Sequence, residues 1–215
     1  MKSHFLALGC LVSTLAFAGD PDKALLSSSK LADPQPPRSE LSEGKFEVEA
    51  IFWFGCSYCQ QLDPLLRQWE ARRPDITLIS VPAPLSELMA SHARAFYAQK
   101  VLGGAQDLKS ATYKTVVESG GRAIANGEDF ARFMSGNGFD ADASREMYFS
   151  QFVTNAVRYD FNRLKAYNLS VAPSIVINGE YLVTGSSAGG IPEMIVQAEK
   201  IISAIEQKSK LEGEK

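Results

Sequence analysis

Within residues 45–69 the apolar pattern changes period at a single glycine, and two cysteines sit just beyond the change. Phe46, Val48 and Ala50 alternate with Glu47 and Glu49, and Ile51-Phe52-Trp53-Phe54 is then continuously apolar, the pattern of a strand whose inner half is covered on both faces. After Gly55, the residues Cys59, Leu62, Leu65, Leu66 and Trp69 recur at spacings of three and four, which is the stripe of a helix. Cys56 falls in its first turn, and Pro64, which lacks a backbone donor, is expected to kink it. Residues 76–81 read as a second buried strand, so strand, helix and strand form one βαβ unit and the class is α/β.

Cys56 and Cys59 form a pair with no third partner in the folded chain. The remaining cysteine, Cys10, lies in a segment with a basic start at Lys2, an apolar run over 5–17 and small residues at Ala16 and Ala18, the features of an export signal cleaved after Ala18. That run is shorter than the roughly 20 residues a membrane span needs. A lipid anchor on Cys10 is the rival reading, against which stand the sequence Ala7-Leu8-Gly9 and an apolar run continuing through Leu15. Loss of residues 1–18 from 215 leaves 197, enough for one domain with an elaboration. The mature balance of 21 basic against 25 acidic residues, without a lysine-rich block, speaks against nucleic acid or an acidic membrane as partner. Export also places the cysteines where a disulfide can persist.

Further along, residues 19–44 carry Asp33-Pro34-Gln35-Pro36-Pro37 and read as an extended leader, and residues 45–84 hold the βαβ unit. Helical spacing dominates 86–102, 105–119, 128–135 and 140–167, interrupted by Gly103-Gly104, Gly120-Gly121 and Gly136-Asn137-Gly138, so that 85–168 reads as an all-helical insertion. Strand signals return at 174–177 and 181–184 around Asn178-Gly179, a hairpin signature, and a helix over 191–206 closes the segment 169–207. The charged tail 208–215 is expected to fray.

The paired cysteines admit several chemistries. An inert disulfide across two residues closes a loop too short to contribute much stability. A zinc site needs two more ligands, and the mature chain offers no further cysteine and only His92. Redox exchange fits the placement better. A helix start exposes unpaired backbone donors and the positive end of the dipole, which favours a thiolate at Cys56, while Cys59 lies one turn in on the apolar stripe. Cys56 is then the thiol that forms mixed disulfides and Cys59 the one that resolves them.

Phe52-Trp53-Phe54-Gly55-Cys56-Ser57-Tyr58-Cys59 on a strand-to-helix turn, a helical insertion, then Val171-Ala172-Pro173-Ser174 before a strand and Asn178-Gly179, resemble the DsbA family of periplasmic thiol:disulfide oxidoreductases over about residues 45–206. The resemblance implies a thioredoxin-like fold with an inserted all-helical subdomain. It implies catalytic roles for Cys56 and Cys59, redox tuning by Ser57 and Tyr58, and a substrate-binding wall at Ala172 and Pro173 with Pro173 as the cis-proline. It also implies a monomer that exchanges disulfides with reduced exported client proteins, is reoxidised by a DsbB-like membrane partner, and uses no cofactor and no metal.

Three departures bear on tuning. Strongly oxidising relatives carry histidine where this chain has Tyr58. Many carry a buried glutamate where it has Ala50, and Glu49, one residue away, points to the opposite face of a strand. The usual valine or threonine before the proline is Ala172. The expected activity is introduction of disulfides into exported proteins, with a periplasmic reductase or isomerase and a redox-inert peptide-holding module as alternatives.

Overall fold

In a computed structural model, residues 21–42 and 44–213 are described, and the export-signal reading of 1–18 lies outside them. Strand β1 (Phe46–Phe52) is central and pairs in parallel with β2 (Ile76–Pro82), with Ala50 opposite Ser80. On its other side it pairs antiparallel with β3 (Ser174–Ile177), which pairs antiparallel with β4 (Tyr181–Thr184), giving the order β2-β1-β3-β4. The β3–β4 hairpin turns at Asn178 (φ 52°) and Gly179 (φ 67°). Glycine is required twice at 179, because a Cβ there would lie 1.9 Å from the Gln35 carbonyl oxygen.

Helix α1 is Pro21–Ser29, and α2 (Ser57–Glu70) follows β1 and runs on through Pro64. Between β2 and β3 lie α3 (Glu87–Val101), α4 (Ala105–Glu118), α5 (Gly127–Gly136), α6 (Ala141–Phe149) and α7 (Gln151–Ala166). The expected helix over 140–167 is two helices. Ser150 takes extended angles, ends α6, and caps α7 by accepting the Val153 amide hydrogen. After β4 come the single turn α8 (Gly185–Ala188) and α9 (Ile191–Gly213).

Side-chain alternation along β1 divides the interior. Phe46, Val48 and Ala50 pack with Leu62, Leu66 and Trp69 of α2 and with Met194, Ala198, Ile201 and Ile202 of α9. Ile51 faces the other way, with Val81, Val176, Leu164 and Tyr167. The end of the strand, Phe52, joins Phe54, Cys59, Phe96, Tyr113, Phe130 and Met134 in the core of the helical insertion. The redox turn therefore sits at the seam between sheet and insertion.

Two expectations about the chain ends are corrected. The leader is no free extended arm. Residues 21–29 are helical, with Leu25 and Leu26 packed on the sheet–α9 core, Lys30 bridges to Tyr181, and Leu31 is buried. Nor does the tail fray from 208, since α9 continues to Gly213.

The leader also explains why all of β1 is buried, Glu47 and Glu49 included. The Arg38 and Ser39 amides donate to Glu47 at 2.7 and 3.0 Å, and the Arg38 and Arg163 guanidinium groups donate to Glu49 at 2.9 and 2.7 Å. Arg38 also pairs with buried Asp160 at 2.9 Å. Buried carboxylates are tolerated only with such partners.

Candidate active site

Cys56 ends the turn that leaves β1. Its amide donates to the Trp53 carbonyl at 3.0 Å, and it occupies the N-cap of α2 with extended angles (φ −101°, ψ 111°). An N-cap side chain ordinarily accepts a backbone N–H through oxygen. Here the Cys56 sulfur does so, taking the Cys59 amide hydrogen at 3.2 Å.

Both thiols are free. The Cys56 pKa is drawn down to about 6, chiefly by the hydrogen bond from the Cys59 side chain, with the Cys59 and Tyr58 amides helping and burial opposing. The same contact and then burial push the Cys59 thiol well above its ordinary range. Cys59 is only 2 % exposed, whereas Cys56 is reachable. One sulfur is thus poised as thiolate and the other held as thiol.

The Ala172–Pro173 bond is cis, and the Ala172 carbonyl oxygen lies 3.7 Å from Cys56 Sγ, which can donate to it when protonated. Ala172 packs on the same apolar cluster as Cys56 and Cys59, and Pro173 lines a hollow with Cys59. Cys56, Cys59, Ala172 and Pro173 are therefore brought together. Ser57 is exposed and Tyr58 is 59 % exposed, so these two form the outer rim of the turn. Ala50 lies beneath the site in the hollow containing Cys59, and Glu49 is bound by Arg38 and Arg163 on the other face of the strand. Among the described residues, no group of three or more His, Cys, Asp or Glu is placed to hold a metal ion.

Sequence reasoning missed a support on the rim side. The Trp53 indole N–H donates to His92 Nδ1 at 2.7 Å, and His92 Nε2 lies 3.0 Å from the Gly121 carbonyl. An indole can only donate, so Nδ1 is the acceptor and the ring proton sits on Nε2, donated to Gly121. Burial lowers the His92 pKa to about 4, which keeps the ring neutral. Trp53 in turn lies over Gly55, where a Cβ would come within 2.3 Å of the indole. His92 had drawn notice only as a poor zinc ligand. Its true partner is 39 positions away, and no local pattern announces it.

A family model described as a DSBA-like thioredoxin domain matches residues 47–189. The chain belongs to the DsbA-like thioredoxin family. It is 32 % identical over 155 residues to the thiol:disulfide interchange protein DsbA of Azotobacter vinelandii, covering 72 % of each chain. It is 27 % identical over 202 residues to that of Pseudomonas aeruginosa, covering 92 % of each. The crystal structure of Pseudomonas aeruginosa DsbA superposes with a TM-score of 0.76 at 26 % identity, over 84 % of this chain and 93 % of that one. DsbA from Xylella fastidiosa gives a TM-score of 0.74 at 26 % identity, over 84 % and 94 %. As a DsbA-like protein the chain is a thiol:disulfide oxidoreductase with a thioredoxin fold and a helical insertion, and it introduces disulfides by exchange with substrate proteins.

Proposed function

We propose that Cys56 and Cys59 carry this exchange, with Cys56 as the entry thiol and Cys59 as the resolving one. The supporting observation is the asymmetry of the two sulfurs, one accessible and drawn down to about 6, the other buried and pushed up. In the oxidising direction a client thiolate attacks Cys56 of the disulfide form, the Cys56–Cys59 bond breaks, and Cys59 leaves with the electron pair and takes a proton. A second client thiolate then attacks the client sulfur, closing the client disulfide and releasing Cys56 as thiolate. Release as thiolate rather than thiol lowers the cost of this step at neutral pH.

Ala172 and Pro173 form the client-facing wall, where the chain before β3 offers an extended segment for a client strand to lie against. Ser57 and Tyr58 tune the pair from the rim. The protein acts as a monomer in the periplasm after cleavage of residues 1–18, and a DsbB-like membrane protein reoxidises the pair. Residues 45–84 and 169–207 act as the redox body and 85–168 as its helical cover. Among the described residues no helix is long and apolar enough to cross a membrane.

The test is alkylation of the reduced protein across pH with peptide mapping. Cys56 labels first, and its rate rises with a midpoint near pH 6. Faster labelling of Cys59, or a midpoint near 9, removes the assignment. A thiol whose folded pKa is depressed stabilises the reduced fold above its unfolded range, and that stabilisation is lost as pH falls through about 6. Equilibration with glutathione should accordingly find the pair less oxidising toward glutathione at pH 5 than at pH 7, with the change levelling off below about pH 6.

Tyr58 offers a graded check. An imidazolium at this exposed rim would add positive charge beside the thiolate, so Tyr58→His should lower the Cys56 pKa by about one unit and raise the reduction potential by about 30 mV. No change in either quantity would show that the Cys59 thiol and the backbone donors set the thiolate without help from the rim.

A further inference from the structure

Beneath the redox turn lies a hollow lined by Ala50, Cys59, Asp63, Lys109, Tyr113 and Pro173 among others. Its free volume is about 10 Å³, roughly the room one water molecule needs. Two of its polar residues, Lys109 and Tyr113, come from α4 of the insertion, four positions apart and so on one helix face. The Lys109 ammonium is buried. It contacts Asp63 Oδ1 at 2.6 Å, donates to Ser80 Oγ at 2.6 Å, and lies 4.6 Å from the centre of the Phe52 ring. Asp63, on α2 one turn beyond Cys59, is also bound by Arg67. Tyr113 is 1 % exposed, and its hydroxyl is buried without a hydrogen-bond partner.

Such an arrangement is costly. A buried ammonium loses hydration, and an unpartnered buried hydroxyl loses on the order of 1–3 kcal/mol. The groups converge on Cys59, which has a chemical problem that they can solve. A buried thiol must lose its proton to attack and regain one on leaving, and bulk water does not reach it.

We propose that Asp63, Lys109 and Tyr113 are the proton-handling residues for Cys59, supplied jointly by the redox helix and the helical insertion. The proposal rests on the assignment of Cys59 as the resolving thiol. During resolution the Cys59 S–H bond breaks, and its proton passes across the hollow to the Lys109–Asp63 pair, with the lysine handing one proton on and the Asp63 carboxylate ending as the acid. The sulfur electron pair forms the bond to Cys56, the bond between Cys56 and the client sulfur breaks, and the client leaves as thiolate. The client sulfur is reduced and the cysteine pair oxidised. In the opposite direction the same pair returns the proton to Cys59 as it leaves. Tyr113 lines the same hollow, and its unpartnered hydroxyl is the group that orients the proton's passage. Burial lowers the Lys109 pKa against the pull of Asp63, and the Lys109 charge in turn opposes the rise of the Cys59 thiol, so the groups respond to each other's protonation. The titratable or charged groups facing this point are Cys56, Asp63 and Arg67 from the redox turn and α2, and Lys109 and Tyr113 from α4.

The experiment starts from the full chain with glutathione joined to Cys56 and follows glutathione release as Cys59 attacks, across pH 5 to 9. Lys109→Met should slow release about 100-fold at pH 7, the low end of what a positioned acid–base group supplies, and make the rate climb with hydroxide concentration. Tyr113→Phe removes only the unpartnered hydroxyl, retains the fold, and should slow release by about tenfold with the same change in profile. In both variants the midpoint for Cys56 alkylation should remain near pH 6. Wild-type release rates and profile in Tyr113→Phe and in a folded Lys109→Met would overturn the proposal, as would slowing fully accounted for by a displaced Cys56 midpoint. Cys59→Ser separates the underlying assignment. If that variant releases glutathione as fast as the wild type, the two-cysteine reading itself is what fails.

Discussion

Replacing Cys59 by serine abolishes disulfide turnover and leaves client proteins covalently joined to Cys56. Serine is the informative substitute because its hydroxyl can still donate toward Cys56, the contact that chiefly holds the Cys56 thiolate, while it cannot form the second disulfide. Cys56 in the variant therefore still attacks a disulfide, and the product stays trapped. Client adducts should appear on non-reducing gels and vanish with reductant, and should be absent from Cys56→Ser. Turnover persisting in Cys59→Ser, or adducts mapping to another residue, would move the chemistry elsewhere.

The second large effect lies on the opposite face of β1. Arg163→Met should lower the unfolding free energy by about 3–5 kcal/mol, the range for removing one member of a buried ion pair. Arg163 contacts Glu49 through two nitrogens at 2.7 and 2.6 Å and donates to the Pro36 carbonyl at 2.8 Å. Its loss leaves the buried Glu49 to Arg38 alone and unfastens the leader. The urea midpoint should fall with little change in slope, and the apolar pair Glu49→Leu with Arg163→Met should recover much of the loss. Because this network is separated from Cys59 by the strand itself, the folded variant should keep the Cys56 alkylation midpoint. A loss below about 1 kcal/mol would mean that the charges are hydrated in solution.

The elements that were legible in the sequence are those whose signal is local. The strand-to-helix change at Gly55 put Cys59 on the apolar stripe of α2, while Cys56, read as part of the first turn, is the N-cap residue just before it, and Asn178-Gly179 marked a hairpin because both positions take positive φ. Positional resemblance, rather than periodicity, pointed to Ala172–Pro173. The misses share a physical cause. Helix α1 is short, and its apolar residues Leu25 and Leu26 are held by the core they meet rather than by a local pattern. Ser150 looked compatible with a continuous helix because the apolar spacing runs across it, yet its hydroxyl serves as a cap. Glu47 and Glu49 alternate like solvent-facing residues, but distant arginines and the leader make burial tolerable. Asp63, Lys109 and Tyr113 are unremarkable singly and meet only through the packing of α4 on α2.

The strand order has a consequence for the protein's own biogenesis. The partner of β1 on one side is β2, close behind it in the chain, but its other partner, β3, begins only at Ser174. A chain crossing a membrane from its N-terminus delivers Cys56 and Cys59 long before Ala172, whose carbonyl contacts the Cys56 sulfur in the finished protein. On the proposed export route, the thiols would for that interval face the oxidising side without the proposed client wall, open to small oxidants and to cysteines of neighbouring nascent chains. Premature termination anywhere between residues 60 and 170 would thus produce a fragment carrying the cysteine pair but not the proposed client wall, a product the cell has reason to degrade quickly.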